Sequence, residues 1–243
     1  MAITSFTSKN NKDYGTVQID AAWDDENVNN YILYRKEDSD WIEIVEKEIL
    51  SGYSVTIHDV SAVSGVEYQY RFAVRVDTTT SSTSGTISQL CKFDGIVISD
   101  RTGTWHTAFG TKNNDFDISI KKNTAVGYVN TLSGKYPHRI VNSDKNYLTG
   151  SVTGLFINSN DGCPDFSNAT MYRDAFVEFL CNGYKKLLKT GAGRAYIVSI
   201  DDGVEEKYNA IDELTAVTFS WTQIGSAFTN KLNRVSPVWG ESV

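Results

Sequence analysis

The sequence predicts a mainly β protein in two parts. A β-sandwich occupies residues 1–93, and a second β-domain with one packed helix, at 169–181, occupies 94–229; a C-terminal arm follows at 230–243. Three observations carry that expectation. Alternating apolar and polar residues recur at intervals of about ten residues through the first part, which marks short, half-buried strands. A single stretch has apolar residues at helical spacing, namely Tyr172, Ala175, Phe176, Phe179 and Leu180. Around it, turn-forming residues break the chain at nearly every junction.

The first part reads strand by strand. Val17, Ile19, Ala21 and Trp23 share one face, as a half-buried strand requires. Tyr31, Ile32, Leu33, Tyr34 and Arg35 pair with Trp41, Ile42, Glu43 and Ile44 across a charged turn at 36–40. Tyr53, Val55 and Ile57 alternate again. The clearest strand is 67–76, with Tyr68, Tyr70, Phe72, Val74 and Val76 on one face and Gln69, Arg71 and Arg75 on the other. Residues 78–84 are all Thr or Ser and read as a flexible turn before a last strand at 86–93. Few prolines and no helical pattern make this a sandwich. Asp94-Gly95 marks the boundary.

In the second part, Ile96, Val97 and Ile98 form a short strand. Residues 99–114 read as an extended loop or arm carrying Trp105, His106 and Phe109. Such a segment either tucks back on its own domain or clamps a neighbouring subunit. Phe116, Ile118 and Ile120 alternate, and two extended segments follow at 136–142 and 146–157, then a polar loop at 158–166. The helix begins with Ser167 or Asn168 as its N-cap and stops at Asn182-Gly183, a pair suited to a left-handed turn. Residues 184–189 and 194–200 form a hairpin across Gly191, Ala192 and Gly193. Val217, Phe219 and Trp221 share one face of a late strand that closes the sheet. Residues 230–243, with Pro237 and Trp239, are either a disordered tail or an arm ordered by a partner.

Composition narrows the function. With 243 residues and 40% hydrophobic content the chain can build two cores, and its net charge of −7 speaks against nucleic-acid binding. No apolar run is long enough to span a membrane, and the first residues lack the basic and apolar regions of a signal peptide. Cys91, Cys163 and Cys181 lie far apart without a C-x-x-C pair, which points to buried or incidental thiols. His58, His106 and His138 have no partners at metal-ligand spacing, and no G-x-S-x-G or H-E-x-x-H occurs. Asp100 and Arg101 near His106 are the nearest approach to a polar cluster.

Other suggestive stretches also have structural readings. Gly191 to Arg194 lie between two strands rather than ahead of a helix, so they form a hairpin turn and not a phosphate loop. Asp201, Asp202, Glu205 and Glu206 do not follow calcium-ligand spacing and read as a charged loop between strands. Lys185, Lys186 and Lys189 read as a basic patch on a solvated strand edge. Alternation puts Trp23, Tyr68, Tyr70 and Trp221 in the core and leaves Trp41, Trp105 and Trp239 free for an interface. No catalytic, metal-binding or cofactor-binding residue is expected, and the chain is read as a non-enzyme.

Four stretches resemble a known family. Gly134-Lys135-Tyr136-Pro137, then Asn146-Tyr147 with residues 150–155, then residues 173–189, and finally Thr218-Phe219-Ser220-Trp221-Thr222-Gln223-Ile224 resemble tail and baseplate structural proteins of bacteriophages that infect Gram-positive bacteria. The resemblance covers residues 110–224 and implies a split-barrel, distal-tail-like domain used to build rings. The polar spacer at 158–166 departs from the family's composition. In the first part, Trp23, the hairpin at 31–44 and Ser64-Gly65-Val66-Glu67-Tyr68 resemble a fibronectin type III domain, with Tyr68 as the corner tyrosine; the integrin-binding Arg-Gly-Asp tripeptide is absent.

Together the resemblances imply a structural subunit of a phage tail or phage-like particle, made in the host cytoplasm and resident in the virion. Its partners would be copies of itself in a ring, sixfold by the resemblance, and other tail or baseplate proteins. The 99–114 arm and the C-terminal tail would contribute contacts, with the sandwich facing outward. The alternative is a carbohydrate-binding adhesin or receptor-binding module on the tail that grips host cell-wall glycan through Trp105. A cell-wall hydrolase, the third option, would need His106 and Asp100 in a cleft.

Overall fold

In a computed structural model of the chain, the described residues are 3–48, 52–76, 79–100, 105–108, 116–129, 136–160, 163–208 and 214–226. The chain is mainly β, with a sandwich followed by a second β-rich unit carrying one helix. In the sandwich, β1 (Ile3–Asn11), β2 (Thr16–Trp23) and β5 (Ser54–Asp59) form a three-stranded sheet in the order β1-β2-β5. The facing sheet holds β3 (Asn30–Glu37), β4 (Asp40–Glu48), β6 (Val66–Val76), β7 (Thr79–Thr83) and β8 (Ile87–Cys91). Their inward residues, among them Val17, Ile19, Trp23, Leu33 and Phe72, make one buried core. Trp23 and Tyr31 stack on Phe72 with ring centroids 6.1 and 5.8 Å apart. The hydroxyl of Tyr68 accepts the Val63 N–H at 3.1 Å and so pins the loop that leads into β6.

The Thr/Ser run is a strand rather than the flexible turn that its composition suggests. β6 is long enough for two partners in succession, pairing β8 along residues 66–70 and β7 along 73–76. Threonine is branched at Cβ and suits a pleated edge, so β7 takes the length of β6 that β8 leaves open.

The second unit is a single seven-stranded sheet. Its strands are β9 (Ile96–Asp100), β10 (Trp105–Ala108), β11 (Phe116–Val129), β12 (His138–Gly154), β15 (Lys186–Thr190), β16 (Ala195–Lys207) and β17 (Ala216–Ser226). The two-residue strands β13 (Ser159–Asn160) and β14 (Cys163–Pro164) pair with each other in the polar loop. The sheet order is β10-β9-β15-β16-β17-β12-β11. β17 therefore lies inside the sheet, between β16 and β12, and does not close it. The two extended segments expected at 136–142 and 146–157 are largely one strand, β12. The acidic stretch 201–206 is also strand, interrupted by a bulge between Asp201 and Val204 where β16 pairs β17.

Helix α1 (Ala169–Cys181) lies on this sheet. Phe176, Phe179 and Leu180 meet Phe156, Leu188, Val198 and Phe219, and the Phe156 and Phe176 rings stack with centroids 3.9 Å apart. Its start differs from expectation. A 3-10 turn, Phe166–Asn168, precedes the helix, with Asp165 as cap accepting the Ser167 N–H at 3.1 Å, and Asn168 makes no side-chain cap bond. Asp165 thus caps the 3-10 turn through the Ser167 N–H, one turn ahead of α1. The helix ends as expected, with Gly183 at φ 77°. Gly150 is required for a different reason: a Cβ there would lie 1.9 Å from the Ser119 carbonyl and 2.8 Å from the Trp221 ring.

The two units share a packed joint. Alternation along β9, β15 and β16 sends one set of residues (Ile96, Ile98, Leu188, Tyr196, Val198) to the helix side of the sheet. The other set meets the sandwich: Val97 joins the sandwich core, while Leu187, Ala195 and Ile197 cluster with Val63. Gly15, at φ 59°, leaves room for Val97, whose Cγ2 would lie 2.4 Å from any Cβ at that position. At the centre, Lys189 is fully buried and its Nζ donates to the Gly15 and Ala62 carbonyls at 2.7 and 2.9 Å.

This overturns the reading of Lys186 and Lys189 as a solvated edge, since both are 0% exposed. β15 is an interior strand covered on both faces, and its cations satisfy themselves on internal carbonyl groups. Lys185 alone of the three is exposed.

Candidate assembly surface

The most unusual surface element is the ribbon made by β11 and β12. Their antiparallel pairing runs from Phe116↔Gly154 to Val129↔His138. β12 pairs with β17 only over residues 149–154. From Lys122↔Leu148 outward the two strands have only each other among the described residues. Eight residues of β11 at about 3.4 Å each give a projection of roughly 27 Å. Three extra residues, 143–145, bulge from β12 where Thr124↔Asn146 steps to Ala125↔Asn142.

None of the ribbon's described side chains is buried. Tyr128 is 68% exposed, Tyr136 73% and Ile140 57%, and Val129 and Tyr147 are exposed as well. A two-stranded hairpin is marginal alone in water, and this one carries apolar side chains on open faces. Its charge also differs from the rest. Residues 120–148 hold Lys121, Lys122, Lys135, Arg139 and Lys145 against one acid, Asp144. That is a net +4, which leaves −11 on the remainder of a chain whose total is −7.

Composition could have shown that contrast, but the unsupported length of the ribbon depends on where β17 stops. The sequence pointed instead to residues 99–114 and 230–243 as contact arms. Of these only β9's last two residues and β10 are described; Arg101, Phe109 and the whole C-terminal stretch lie outside the described residues, as do the side chains of Trp105 and His106.

The residues weighed for chemistry do not converge. His58 Nδ1 lies 3.1 Å from Thr16 Oγ1 within the sandwich, and burial lowers its pKa. His138 is exposed on the ribbon. Asp100 is buried and pairs with Lys186 at 3.9 Å. Gly191 to Gly193 form the turn between β15 and β16, with Gly193 at φ 80°. Trp41 is half-buried, with the Arg71 guanidinium over its ring at 4.2 Å. Among the described residues no three His, Cys, Asp or Glu side chains are placed to hold a metal ion. No helix among them is long and apolar enough to cross a membrane. The open groove between β1 and β7, lined by Ile3, Phe6, Ser82 and Thr83, contains no ionisable side chain.

A buried polar cluster in the sandwich is structural. Arg35 Nη1 donates to Asp59 Oδ2 at 2.8 Å and to Ser61 Oγ at 2.6 Å, and the Tyr70 hydroxyl donates to Asp59 at 2.8 Å. Burial alone would raise the Asp59 carboxyl, but Arg35 and these donors bring it below its ordinary value. The groups bond one another within the sandwich, while Arg35 Nε is buried without a hydrogen-bond partner.

No family model matches this chain. No curated protein matches it either. Among solved structures, a chain from the virion of a native gene transfer agent particle is similar at 13% identity, with a TM-score of 0.33, over 55% of this chain and 92% of that one. At that score the likeness carries no argument.

Proposed function

We propose that the chain is a non-enzymatic structural subunit of a bacteriophage tail or phage-like particle, which assembles into a ring and connects tail components. The observation that carries this reading is the basic, aromatic ribbon of β11 and β12 on an otherwise acidic chain. Identical subunits that meet through non-identical patches form rings when the rotation closes. A positive ribbon laid on the negative body of the next copy is such a contact, and its tyrosines supply apolar area at low entropic cost. The resemblance of residues 110–224 to tail proteins supports the biological setting, with a split-barrel-like domain and residence in the virion, and the separate fibronectin-like resemblance of residues 1–93 supports a sandwich that serves as spacer.

The test is the mass of the full chain by light scattering, with negative-stain images of the same sample. Closed rings, formed alone or with other tail proteins, are expected. Association should weaken as salt rises, because screening reaches about 10 Å at 0.1 M. Lys121→Glu with Arg139→Glu should weaken it at least ~10-fold at unchanged melting temperature. A chain that stays monomeric with every tail partner, and binds isolated cell walls instead, would sink the assembly reading in favour of the adhesin.

A further inference from the structure

Lys186, Asn182 and Asp100 meet where β15 begins, α1 stops and β9 ends. The antiparallel register sets Lys186 across from Asp100, and α1 delivers Asn182 as its C-cap. Lys186 is fully buried and Asp100 is 1% exposed. The Lys186 amine makes a very short hydrogen bond to the Asn182 side-chain carbonyl. Its Nζ lies 4.2 Å from the centre of the Phe179 ring and 3.9 Å from the Asp100 carboxylate. Asp100 in turn accepts from Asn182 Nδ2 at 3.3 Å. One carboxylate thus touches the amide and neighbours the amine, while the Tyr184 N–H donates to Asn182 Oδ1 at 3.0 Å.

Each part suits acyl transfer. Burial pushes the Lys186 amine down to about 8, so a free-base fraction is present at neutral pH. A desolvated lysine amine is a nucleophile. The Tyr184 N–H points at the oxygen where negative charge would gather, as an oxyanion donor must. Asp100 hydrogen-bonds the leaving nitrogen and lies 3.9 Å from the amine, so an approach of about 1 Å, or one water, lets it carry the proton between them.

We propose that this cluster is a self-crosslinking site, at which Lys186 and Asn182 form an intramolecular isopeptide bond. Nζ of Lys186 attacks Cγ of Asn182 and a C–N bond forms. Asp100 carries the proton from Nζ to Nδ2. The Cγ–Nδ2 bond then breaks and one ammonia leaves, which requires no oxidant and no second molecule. Asn182 is at an exposed position, so the ammonia has a way out. The product replaces a buried ammonium by a neutral amide and locks the end of α1 to the start of β15.

Peptide mapping of the full chain tests this. Trypsin should cut after Lys185 but not after Lys186, leaving 174–185 and 186–189 joined, with a mass about 17 Da, one ammonia, below the sum of the two free peptides. Asn182-Gly183 can lose the same mass by cyclising on its own backbone, but that product leaves Lys186 cleavable and persists in Lys186→Met. Joined peptides in the wild type and none in Lys186→Met support the bond. Separate peptides with a free Lys186, or a link to Asp100 with loss of water (about 18 Da), overturn it. In refolded Asp100→Asn the linkage should form at least ~10-fold more slowly; an unchanged rate overturns the role given to Asp100.

Discussion

Lys189 holds its ammonium on two backbone carbonyls deep inside the molecule, with the Phe93 ring 5.3 Å away. Burial pushes this amine down to about 8, against the pull of Cys91 and Asp59. An unfolded lysine keeps its proton to about 10.5, so above pH 8 the unfolded chain binds more protons and stability rises with pH. Cys91, pushed up to about 11 by burial, works the other way once unfolded thiols ionise near 9.0. The clean window is therefore pH 8 to 9. Urea unfolding across it should show a gain on the order of 1 kcal/mol in the wild type and a clearly smaller gain in Lys189→Met, where the Lys186 amine, also pushed down to about 8, still titrates. A wild type that loses stability from pH 8 to 9 would contradict the assignment. A lysine in a short run of lysines reads as surface because sequence alone does not say that both faces of its strand are covered.

Elements were legible where their residues repeat a simple period. β2, β6 and α1 follow alternation or helical spacing, and they lie where the pattern puts them. β7 was not legible, because a Thr/Ser run becomes strand only when a neighbour offers a bare edge. The ribbon was half legible: Phe116, Ile118 and Ile120 announce the start of β11, but nothing local says that it continues to Val129 without a second neighbour. Amide exchange should expose this difference. At high salt, where the chain is dispersed, amides in 122–129 should exchange at least ~100-fold faster than those in 116–121, which β17 backs through β12. Equal protection along β11 would mean that the ribbon is already covered within one chain. On assembly the protection should spread outward along the ribbon.

At the scale of the whole molecule, the two units are joined by more than a linker. Val63 from the sandwich packs with Leu187, Ala195 and Ile197, Val97 reaches the sandwich core, and Lys189 Nζ bonds the Gly15 and Ala62 carbonyls of the sandwich. Interfaces inside a chain that are apolar and well packed make their domains unfold together. Calorimetry should give one transition for the wild type. Val63→Asp, which buries an unpaired carboxylate in the joint, should split it into two. A single transition in that variant at unchanged midpoint would mean that the joint couples nothing. On the proposed ring-assembly reading, the joint would transmit the orientation of the assembled domain to the sandwich.

By itself the sequence determined the class: two β-rich parts, one helix and where it stops, the core faces of the sandwich, and a tail-protein resemblance in the second part. Those are local properties, set by the period of apolar residues and by turn chemistry within a few positions. The tertiary structure decided the order of the seven strands, the interior place of β17, the burial of Lys186 and Lys189, and the meeting of Lys186, Asn182 and Asp100. Each of these depends on which distant strand lies alongside, and a period of two cannot say whether the second face of a strand meets water or another layer of protein.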